Sequence, residues 1–294
     1  MHSFYLPPGN LDRISVTGPD AVKLLQGQLT CDVAAIPDPG FARGALCNNK
    51  GRVLATFILV REGAAFHLVL NKGLGEIAAL AIKKFLPFYK CELGRIDADD
   101  ACFGICGEAD IAALGLTEGP PPSGECRALE DGWICNLDQA QRQFLLHTRK
   151  TLQPQAGAIT ATISDWLACG VRSGQFPFGV EDVERYTPQE LHLDRHGYVS
   201  FTKGCYTGQE IVARMHYRGK LKKLLFLLEA KSGEALPNTM EVLDTDDHLL
   251  GSTLKVLESA SGLYALAPLP AELETRLSDP VKNPAGLQFS LRVF

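Results

Sequence analysis

The chain has 294 residues, 46% of them hydrophobic and 21% charged, which excludes intrinsic disorder as its main state and fits two or three packed modules. The formal net charge is −5, which argues against a protein that binds nucleic acid over its whole surface but leaves a local basic patch open. No apolar run reaches the roughly 18 residues of a bilayer crossing, and the first residues lack a secretory signal, so we expect a cytoplasmic protein without membrane contact.

The first third of the chain predicts a helix, a hairpin and a second helix. The run Thr17-Gly18-Pro19-Asp20 is typical of a helix start, and Gly27 is placed to end that helix. The predicted strands are 41–47, 53–60 and 66–70, the first two joined by a turn at 48–51, and the second predicted helix is 76–85. A glycine pattern after the third strand resembles a dinucleotide-binding turn. No regular βαβ series follows it, so a tight strand-to-helix turn is the preferred interpretation.

Beyond residue 220 the sequence changes to short apolar runs separated by turn residues. The predicted strands are 224–228, 241–243, 254–257, 263–267 and 288–294. Several short strands at such spacing are typical of a small antiparallel barrel or sandwich. We therefore place a domain boundary near residue 220.

Two similar tetrapeptides flank the most informative stretch of the chain. Thr187-Pro188-Gln189-Glu190 and Thr207-Gly208-Gln209-Glu210 both have the form of a helix capping box. Residues 198–201 between them look like a strand. On this interpretation, Lys203-Gly204-Cys205-Tyr206 is a strand-to-helix turn, and Cys205 sits just before a helix N-terminus.

That placement makes Cys205 the candidate catalytic residue. Unpaired amides at a helix N-terminus and the nearby Lys203 ammonium both favour a thiolate over a thiol. A buried packing role is the alternative, because most free cysteines are buried. The chain has nine cysteines and no Cys-x-x-Cys, so we expect free thiols and no resident metal site. His192 and His196 are too poorly placed to suggest a zinc pair.

The residues after Cys205 are strongly basic. Between residues 207 and 223, one acid, Glu210, stands against five cations: Arg214, Arg218, Lys220, Lys222 and Lys223. An ordinary solvated face is one interpretation. A platform for a phosphate, a polycarboxylate tail or RNA is the other.

The octapeptide Lys203-Gly-Cys-Tyr-Thr-Gly-Gln-Glu210 resembles the signature of the YgfZ family of folate-binding proteins. That family includes mitochondrial iron–sulfur assembly factors and is related to the glycine-cleavage T-protein, an aminomethyltransferase. Weaker agreement with the family extends over residues 18–21, 25–32, 49–52 and 176–190, and the C-terminal strands resemble the relatives' terminal barrel.

The resemblance implies an α+β fold in which aminomethyltransferase-like folate-binding modules form a ring-like arrangement with a small C-terminal antiparallel β-barrel. Residues 1–219 would be the folate-binding region, with two interleaved subdomains of which about 40–115 form one, and 220–294 the barrel. The implied cofactor is tetrahydrofolate or a derivative, held in a cavity near Cys205. The motif residues expected to support that cysteine and cavity are Lys203, Gly204, Tyr206, Thr207, Gly208, Gln209 and Glu210.

The implied function is an accessory role in the assembly or repair of iron–sulfur enzymes, including tRNA-modifying ones. The implied partners are a reduced folate and iron–sulfur client enzymes or assembly proteins, with tRNA involved only indirectly. The aminomethyltransferases carry a folate-contacting aspartate shortly after a strand ending in Val-Asn-Ala. The comparable strand here is Leu68 through Asn71, and the residues that directly follow it include no aspartate. Glu76 is the nearest carboxylate, at a position shifted from that of the expected aspartate.

The missing carboxylate favours folate binding without aminomethyl transfer, since the transfer would lack its electrostatic partner. Two alternatives stay open. One is a tetrahydrofolate-dependent one-carbon transferase for aminomethyl or methyl groups, which would make the chain an enzyme. The other is a tRNA-binding module that uses the basic 214–223 segment.

Overall fold

The computed structural model describes residues 4–94, 101–106, 119–138, 140, 142–150, 159–219, 221–231, 236–237 and 239–294. Within those residues the chain forms three β-sheets, and all neighbouring strands in them are antiparallel. The predicted α+β class is confirmed. None of the described helices is both long enough and apolar enough to cross a bilayer.

The elements follow one another in chain order. The strands are β1 (Phe4–Leu6), β2 (Leu11–Thr17), β3 (Gly40–Cys47), β4 (Val53–Glu62), β5 (Ala65–Asn71), β6 (Glu92–Gly94), β7 (Ala101–Cys106), β8 (Cys126–Leu129), β9 (Gly132–Asp138), β10 (Gln143–Thr148), β11 (Lys223–Ala230), β12 (Glu241–Leu243), β13 (Leu249–Ser252), β14 (Lys255–Ser259), β15 (Gly262–Pro270), β16 (Val281–Lys282) and β17 (Gln288–Val293). The helices are α1 (Ala21–Gln26), α2 (Gly75–Lys83), α3 (Ile163–Arg172) and α4 (Gln209–Arg218).

The first sheet has the order β3-β4-β5-β2-β6 and confirms the predicted hairpin. Asn48 closes the β3–β4 turn, because its Oδ1 accepts hydrogen bonds from the backbone N–H groups of Lys50 and Arg52. Strand β5 runs antiparallel to both β2 and β4, so the glycine-rich turn after it is not part of a parallel dinucleotide-binding unit.

The two predicted N-terminal helices occur, but α1 begins at Ala21, later than the predicted start at Thr17, which is the last residue of β2. Helix α1 ends at Gly27, whose N–H donates to the carbonyls of Lys23 and Leu24. Helix α2 begins next to the Asp12 carboxylate, which accepts hydrogen bonds from the N–H groups of Gly73 and Gly75. This arrangement satisfies amides that a helix start otherwise leaves without partners.

The second sheet has the order β1-β7-β10-β9-β8 and packs on the first. Their interface is an apolar cluster with contributions from both sheets, including Ile58 and Val69 from the first and Trp133 and Leu145 from the second. A stack of imidazole rings crosses the same interface, since the His67 and His147 ring centroids lie 6.0 Å apart. The two sheets therefore share a core with a polar centre.

The third sheet has the order β13-β12-β16-β17-β11-β15-β14 and is curled into a half-barrel. It is built only from strands after residue 222, and all five predicted C-terminal strands occur in it. The apolar run of β11 serves two cores. Leu224, Phe226 and Leu228 face the half-barrel interior, whereas Leu225 and Leu227 join the main core of the preceding region. Since a strand alternates its faces, burial on both explains the unbroken apolar run.

The stretch between α3 and α4 differs from its prediction. Thr187 and Glu190 do exchange capping-box hydrogen bonds, but residues 188–197 form successive turns and not a helix. His192 has a φ of 54°, a left-handed conformation that interrupts any helix there. The strand predicted at 198–201 is also absent among these described residues, where Ser200 N–H instead donates to the Thr30 carbonyl.

The second predicted capping box is wrong. Helix α4 begins at Gln209 and is preceded by Gly208 with a φ of 83°, which supplies no capping side chain. Thr207 instead donates its hydroxyl proton to the Oε1 of Gln28, 2.9 Å away. Cys205 consequently lies three residues before the N-cap of α4, beyond the first turn in which a helix dipole acts strongly.

Candidate functional site

The Lys203 side chain anchors the segment that carries Cys205. Its Nζ lies 2.8 Å from the Gln26 carbonyl, 2.6 Å from that of Leu29 and 2.8 Å from that of Cys31. Burial lowers the pKa of Lys203 to about 8. The three acceptors use all three hydrogens of an ammonium, so the group is charged at neutral pH. Lys203 thus binds the backbone at the end of α1 and just after it, and it holds residues 203–206 against that backbone.

The remainder of the motif packs on the β3–β4 hairpin. The Thr207 N–H donates to the carbonyl of Gly27, and the Thr207 hydroxyl donates to Gln28. A Cβ on Gly208 would collide with the Asn48 carbonyl oxygen, so only glycine allows this approach to the hairpin turn. Tyr206 is buried, and the Lys203 ammonium lies 5.2 Å from the centre of its ring.

Cys205 and its glycine neighbour project away from this anchor. All nine cysteines are described, and Cys205 alone is exposed. Burial raises the pKa of the Cys31, Cys47 and Cys102 thiols to about 12, which keeps them protonated. A rigidly attached, solvent-accessible thiol can meet a reactant or a second protein, whereas the sealed thiols can only pack.

The predicted basic residues lie on α4 and at its exit. Arg214, Lys222 and Lys223 are exposed, as is Glu210 in the first turn of the helix. The Arg218 side chain and Lys220 lie outside the described residues. Gln209 begins the helix beside them.

Two ligand-sized cavities in the described part of the molecule could hold a cofactor, and the first of them borders this segment. The motif cavity, of about 780 Å³, lies between α2 and the β3–β4 turn, and Thr207 and Gln28 contribute to its wall. Leu54, Ile77 and Phe85 contribute apolar surface to its lining, and Lys50 and Lys84 contribute cationic groups.

The second cavity, of about 650 Å³, is the inter-sheet cavity between the N-terminal region and β14 of the half-barrel. Its wall contains the carboxylate of Asp182, a residue only 2% exposed. Asp182 Oδ2 accepts from the Gly179 N–H at 2.9 Å and from Lys255 Nζ at 2.7 Å. None of the described residues donates to its Oδ1. Arg185 lines the same cavity and has no ion-pair partner among the described residues.

A smaller hollow of about 50 Å³ adjoins the inter-sheet cavity, because Asn71, Leu167 and Pro177 line both. Asn71 is the last residue of β5, and the aspartate expected shortly after this strand is missing from the sequence. The Asn71 side-chain amide donates to the Phe178 carbonyl at 3.0 Å and so closes the wall at that point.

Sequence reasoning missed the polar residues of the inter-sheet cavity. Asp182 and Lys255 are 73 positions apart in the chain, and no local pattern predicts that they pair. The contact between Phe201 and His216, whose ring centroids lie 3.7 Å apart, was missed for the same reason. The one signal available in the sequence was an aspartate three residues after a glycine, in Gly179-Val-Glu-Asp182.

Clusters of metal-ligating groups are rare in the part of the chain that the structure describes. The one cluster with three ligand atoms close together is Asp244, Asp246 and His248, in the turn between β12 and β13. Asp244 already accepts hydrogen bonds from the backbone N–H groups of Asp246 and His248, which accounts for the turn without an ion. No cluster of three such groups among the described residues includes Cys205.

Comparison with known proteins gives a consistent set of relatives, although no family model matches the chain. The chain is 34% identical over 245 residues to the tRNA-modifying protein YgfZ of Hamiltonella defensa subsp. Acyrthosiphon pisum (strain 5AT), covering 78% of this chain and 72% of that protein. It is 31% identical over 238 residues to the protein of the same name from Escherichia coli O157:H7, covering 78% and 72%.

A solved structure shares the fold. The glycine cleavage system aminomethyltransferase T from Bartonella henselae superposes with a TM-score of 0.74 at 15% identity, covering 99% of this chain and 85% of that one. The likeness at this identity concerns the fold alone. It confirms the expected aminomethyltransferase-like architecture over the whole chain.

Proposed function

The chain belongs to the YgfZ family, and from that premise we propose that it is a tetrahydrofolate-binding accessory protein that supports the assembly or repair of iron–sulfur enzymes, tRNA-modifying ones among them, through Cys205. The observation that carries this proposal is the exposed Cys205 thiol on a backbone that Lys203 fixes through three carbonyl oxygens. The name of the relatives, tRNA-modifying protein, agrees with a role in tRNA modification.

The inter-sheet cavity is our candidate for the folate site, because its chemistry suits a reduced folate. The pterin ring presents adjacent N–H donors, which a carboxylate binds well, and Asp182 Oδ1 has no donor among the described residues. Apolar side chains such as Phe178 and Leu167 suit the aromatic middle of the ligand. The exposed Arg185 suits the glutamate carboxylates.

The motif cavity fits the pterin less well. Glu184 is its one acidic residue; it is exposed, and its Oε1 accepts a hydrogen bond from Asn48. Such a solvated carboxylate gains little from a second donor. The inter-sheet cavity, with its buried carboxylate, is therefore the better host.

The test titrates tetrahydrofolate into the wild type, Arg185→Gln and Cys205→Ala and follows the melting temperature. We expect the wild type and Cys205→Ala to gain several degrees at about 100 times the dissociation constant, since a ligand that binds only the folded state stabilises it by about 2.7 kcal/mol there. Arg185→Gln should need more ligand for the same shift. Arg195→Gln, an exposed arginine outside the cavity, is the matched control.

The second readout is iron–sulfur enzyme activity in a strain that lacks the gene and carries each variant. Cys205→Ala should fail to restore the activity although it still binds folate, and Cys91→Ala, a partly buried cysteine, should restore it. Full restoration by Cys205→Ala would reject the role of the thiol. An absent shift with the wild-type protein would reject the folate site separately.

A further inference from the structure

Three aromatic rings, two of them near the C-terminal end of α4, form a cluster. The Phe201 and His216 rings stack at 3.7 Å with an interplanar angle of 18°. The Tyr217 ring lies edge-on to both, with centroid distances of 5.0 Å to His216 and 6.2 Å to Phe201. Tyr217 is 71% exposed. A supported but uncovered tyrosine face is a surface on which a flat ligand can stack.

Three cations without an ion-pair partner among the described residues lie close to this aromatic cluster along the chain. Arg214 lies one helical turn before Tyr217 on α4, so the two side chains share a face of that helix. Lys222 and Lys223 are exposed where the chain leaves α4. No described residue forms an ion pair with any of these three cations. In a chain with a net charge of −5, such a local excess indicates an anionic partner.

The acidic residues nearby form no ion pair with these three cations in the described part of the chain. Asp194 lies 3.7 Å from His216 Nδ1 and is only 16% exposed. Glu272 and Glu274 are exposed in the turn after Pro270, the residue that pairs with Lys223, and Glu274 lies 3.7 Å from Arg195. Glu210 sits at the opposite end of α4, in its first turn. Arg214 is therefore the cation that shares the Tyr217 face of α4, and Lys222 and Lys223 are exposed a few residues beyond the helix end.

We propose that this surface, consisting of Phe201, Arg214, His216, Tyr217, Lys222 and Lys223, binds an unpaired segment of RNA. A base would stack on Tyr217, and the adjoining phosphates would lie against Arg214 and the two lysines. Aromatic platforms beside basic side chains are the usual means of binding single strands. RNA loops present splayed bases of this kind, whereas a duplex hides the base faces. The inference requires neither folate binding nor the Cys205 thiol.

The test measures fluorescence anisotropy of two labelled RNAs of equal length, a hairpin with an unpaired loop and a blunt duplex. We expect the hairpin to bind more tightly than the duplex. The affinity for the hairpin should fall with salt between about 50 and about 200 mM, with a logarithmic slope of roughly −2 for three phosphate contacts.

Substitutions separate the two contributions. Tyr217→Ala should weaken hairpin binding about tenfold and leave the salt slope unchanged, because stacking releases no counterions. The double variant Lys222→Ala and Lys223→Ala should reduce the slope by roughly 1.4. Phe88→Ala removes an equally exposed aromatic ring far from α4 in the sequence and should change neither value.

Equal affinity for hairpin and duplex would overturn the proposal, because no base face would then be recognised. So would an unchanged affinity of Tyr217→Ala or a salt-independent affinity of the wild type. All the substituted side chains are exposed, so loss of folding does not confound the comparison, and the melting temperature of each variant verifies this.

Discussion

At the scale of single residues, Lys203 does the most to place the proposed thiol. An ammonium in a nearly buried site is costly unless its protons are all bound. Here three backbone carbonyls from the exit of α1 receive them, and the Tyr206 ring covers the charge from another side. The carbonyls are oriented by their own loop, so the amine is held as a fixed point. Gly204 and Cys205 follow Lys203 directly in the chain, so the fixed amine also determines where their backbone lies.

Replacing Lys203 by methionine tests this account. The substitution keeps most of the aliphatic stem and leaves three buried carbonyls without their donor, so we expect a loss of roughly 2–4 kcal/mol in the free energy of unfolding. Urea denaturation measures it. The same change at Lys50, an exposed lysine without an ion-pair partner among the described residues, should cost little.

A second outcome concerns Cys205 itself. If Lys203 positions the thiol, Lys203→Met should also change the rate at which Cys205 reacts with a thiol reagent in the folded protein. An unaltered rate together with a large loss of stability would restrict Lys203 to a purely structural role. The buried thiols react slowly in either protein and do not interfere.

At the scale of elements, the interface between the first two sheets contains a histidine that must be neutral. The Arg13 Nη1 lies 2.9 Å from His67 Nδ1 and can only donate, so Nδ1 accepts and the proton sits on Nε2. Nε2 in turn donates to Glu62 at 3.0 Å. Burial, together with the Arg13 charge, lowers the pKa of His67 to about 4, although Glu62 opposes the shift. Burial lowers the pKa of the stacked His147 to about 3.

These shifts predict acid lability. The unfolded chain takes up protons on these histidines near pH 6.5, whereas the folded chain resists them until about pH 4. The unfolded state therefore binds more protons in that window, and stability falls as the pH drops through it. The slope is about 1.4 kcal/mol per pH unit for each histidine that titrates only when unfolded. Urea denaturation at several pH values between 7 and 5 measures it.

The contribution of His67 can be isolated. His67→Gln offers an acceptor to Arg13 and a donor to Glu62 but cannot be protonated. The slope of its free energy of unfolding against pH should therefore be smaller than that of the wild type by the amount that one histidine contributes. His248→Gln, at a position with a 77% exposed side chain, should retain the full slope. An identical slope for wild type and His67→Gln would show that His67 does not control the acid response.

The elements differ in how far the sequence alone predicts them. The β3–β4 hairpin, helices α1 and α2, and the five C-terminal strands follow from local signals, namely turn residues and apolar runs. The turns at 188–197 do not, because a left-handed His192 and bonds to distant residues set their course. The site divides in the same way. The motif around Cys205 can be recognised from the sequence alone, whereas the Asp182–Lys255 pair and the aromatic cluster join residues that are distant in the chain.

At the scale of the whole molecule, the half-barrel is fastened to the preceding region by backbone groups as well as by the core. His192 Nε2 accepts a hydrogen bond from the Leu225 N–H, so its proton is on Nδ1 and donates to the Phe294 carbonyl at 2.6 Å. A single buried imidazole therefore links the turn segment to β11 and to Phe294, the residue directly after β17. Leu225 and Leu227 of β11 reach into the main core beside it.

This linkage predicts that His192 couples the half-barrel to the remainder of the chain. His192→Leu leaves a buried N–H and a buried carbonyl without partners, at about 1–3 kcal/mol each. His192→Asn tolerates the left-handed backbone better but is too short to reach both groups, so it separates hydrogen-bond loss from backbone strain. Native-state hydrogen exchange should show faster exchange of the Leu225 amide and its β11 neighbours in both variants, with little change in β4. Uniformly faster exchange in β4 and β11 alike would mean that His192 supports the whole fold and not this junction, because the coupling account confines the effect to the half-barrel.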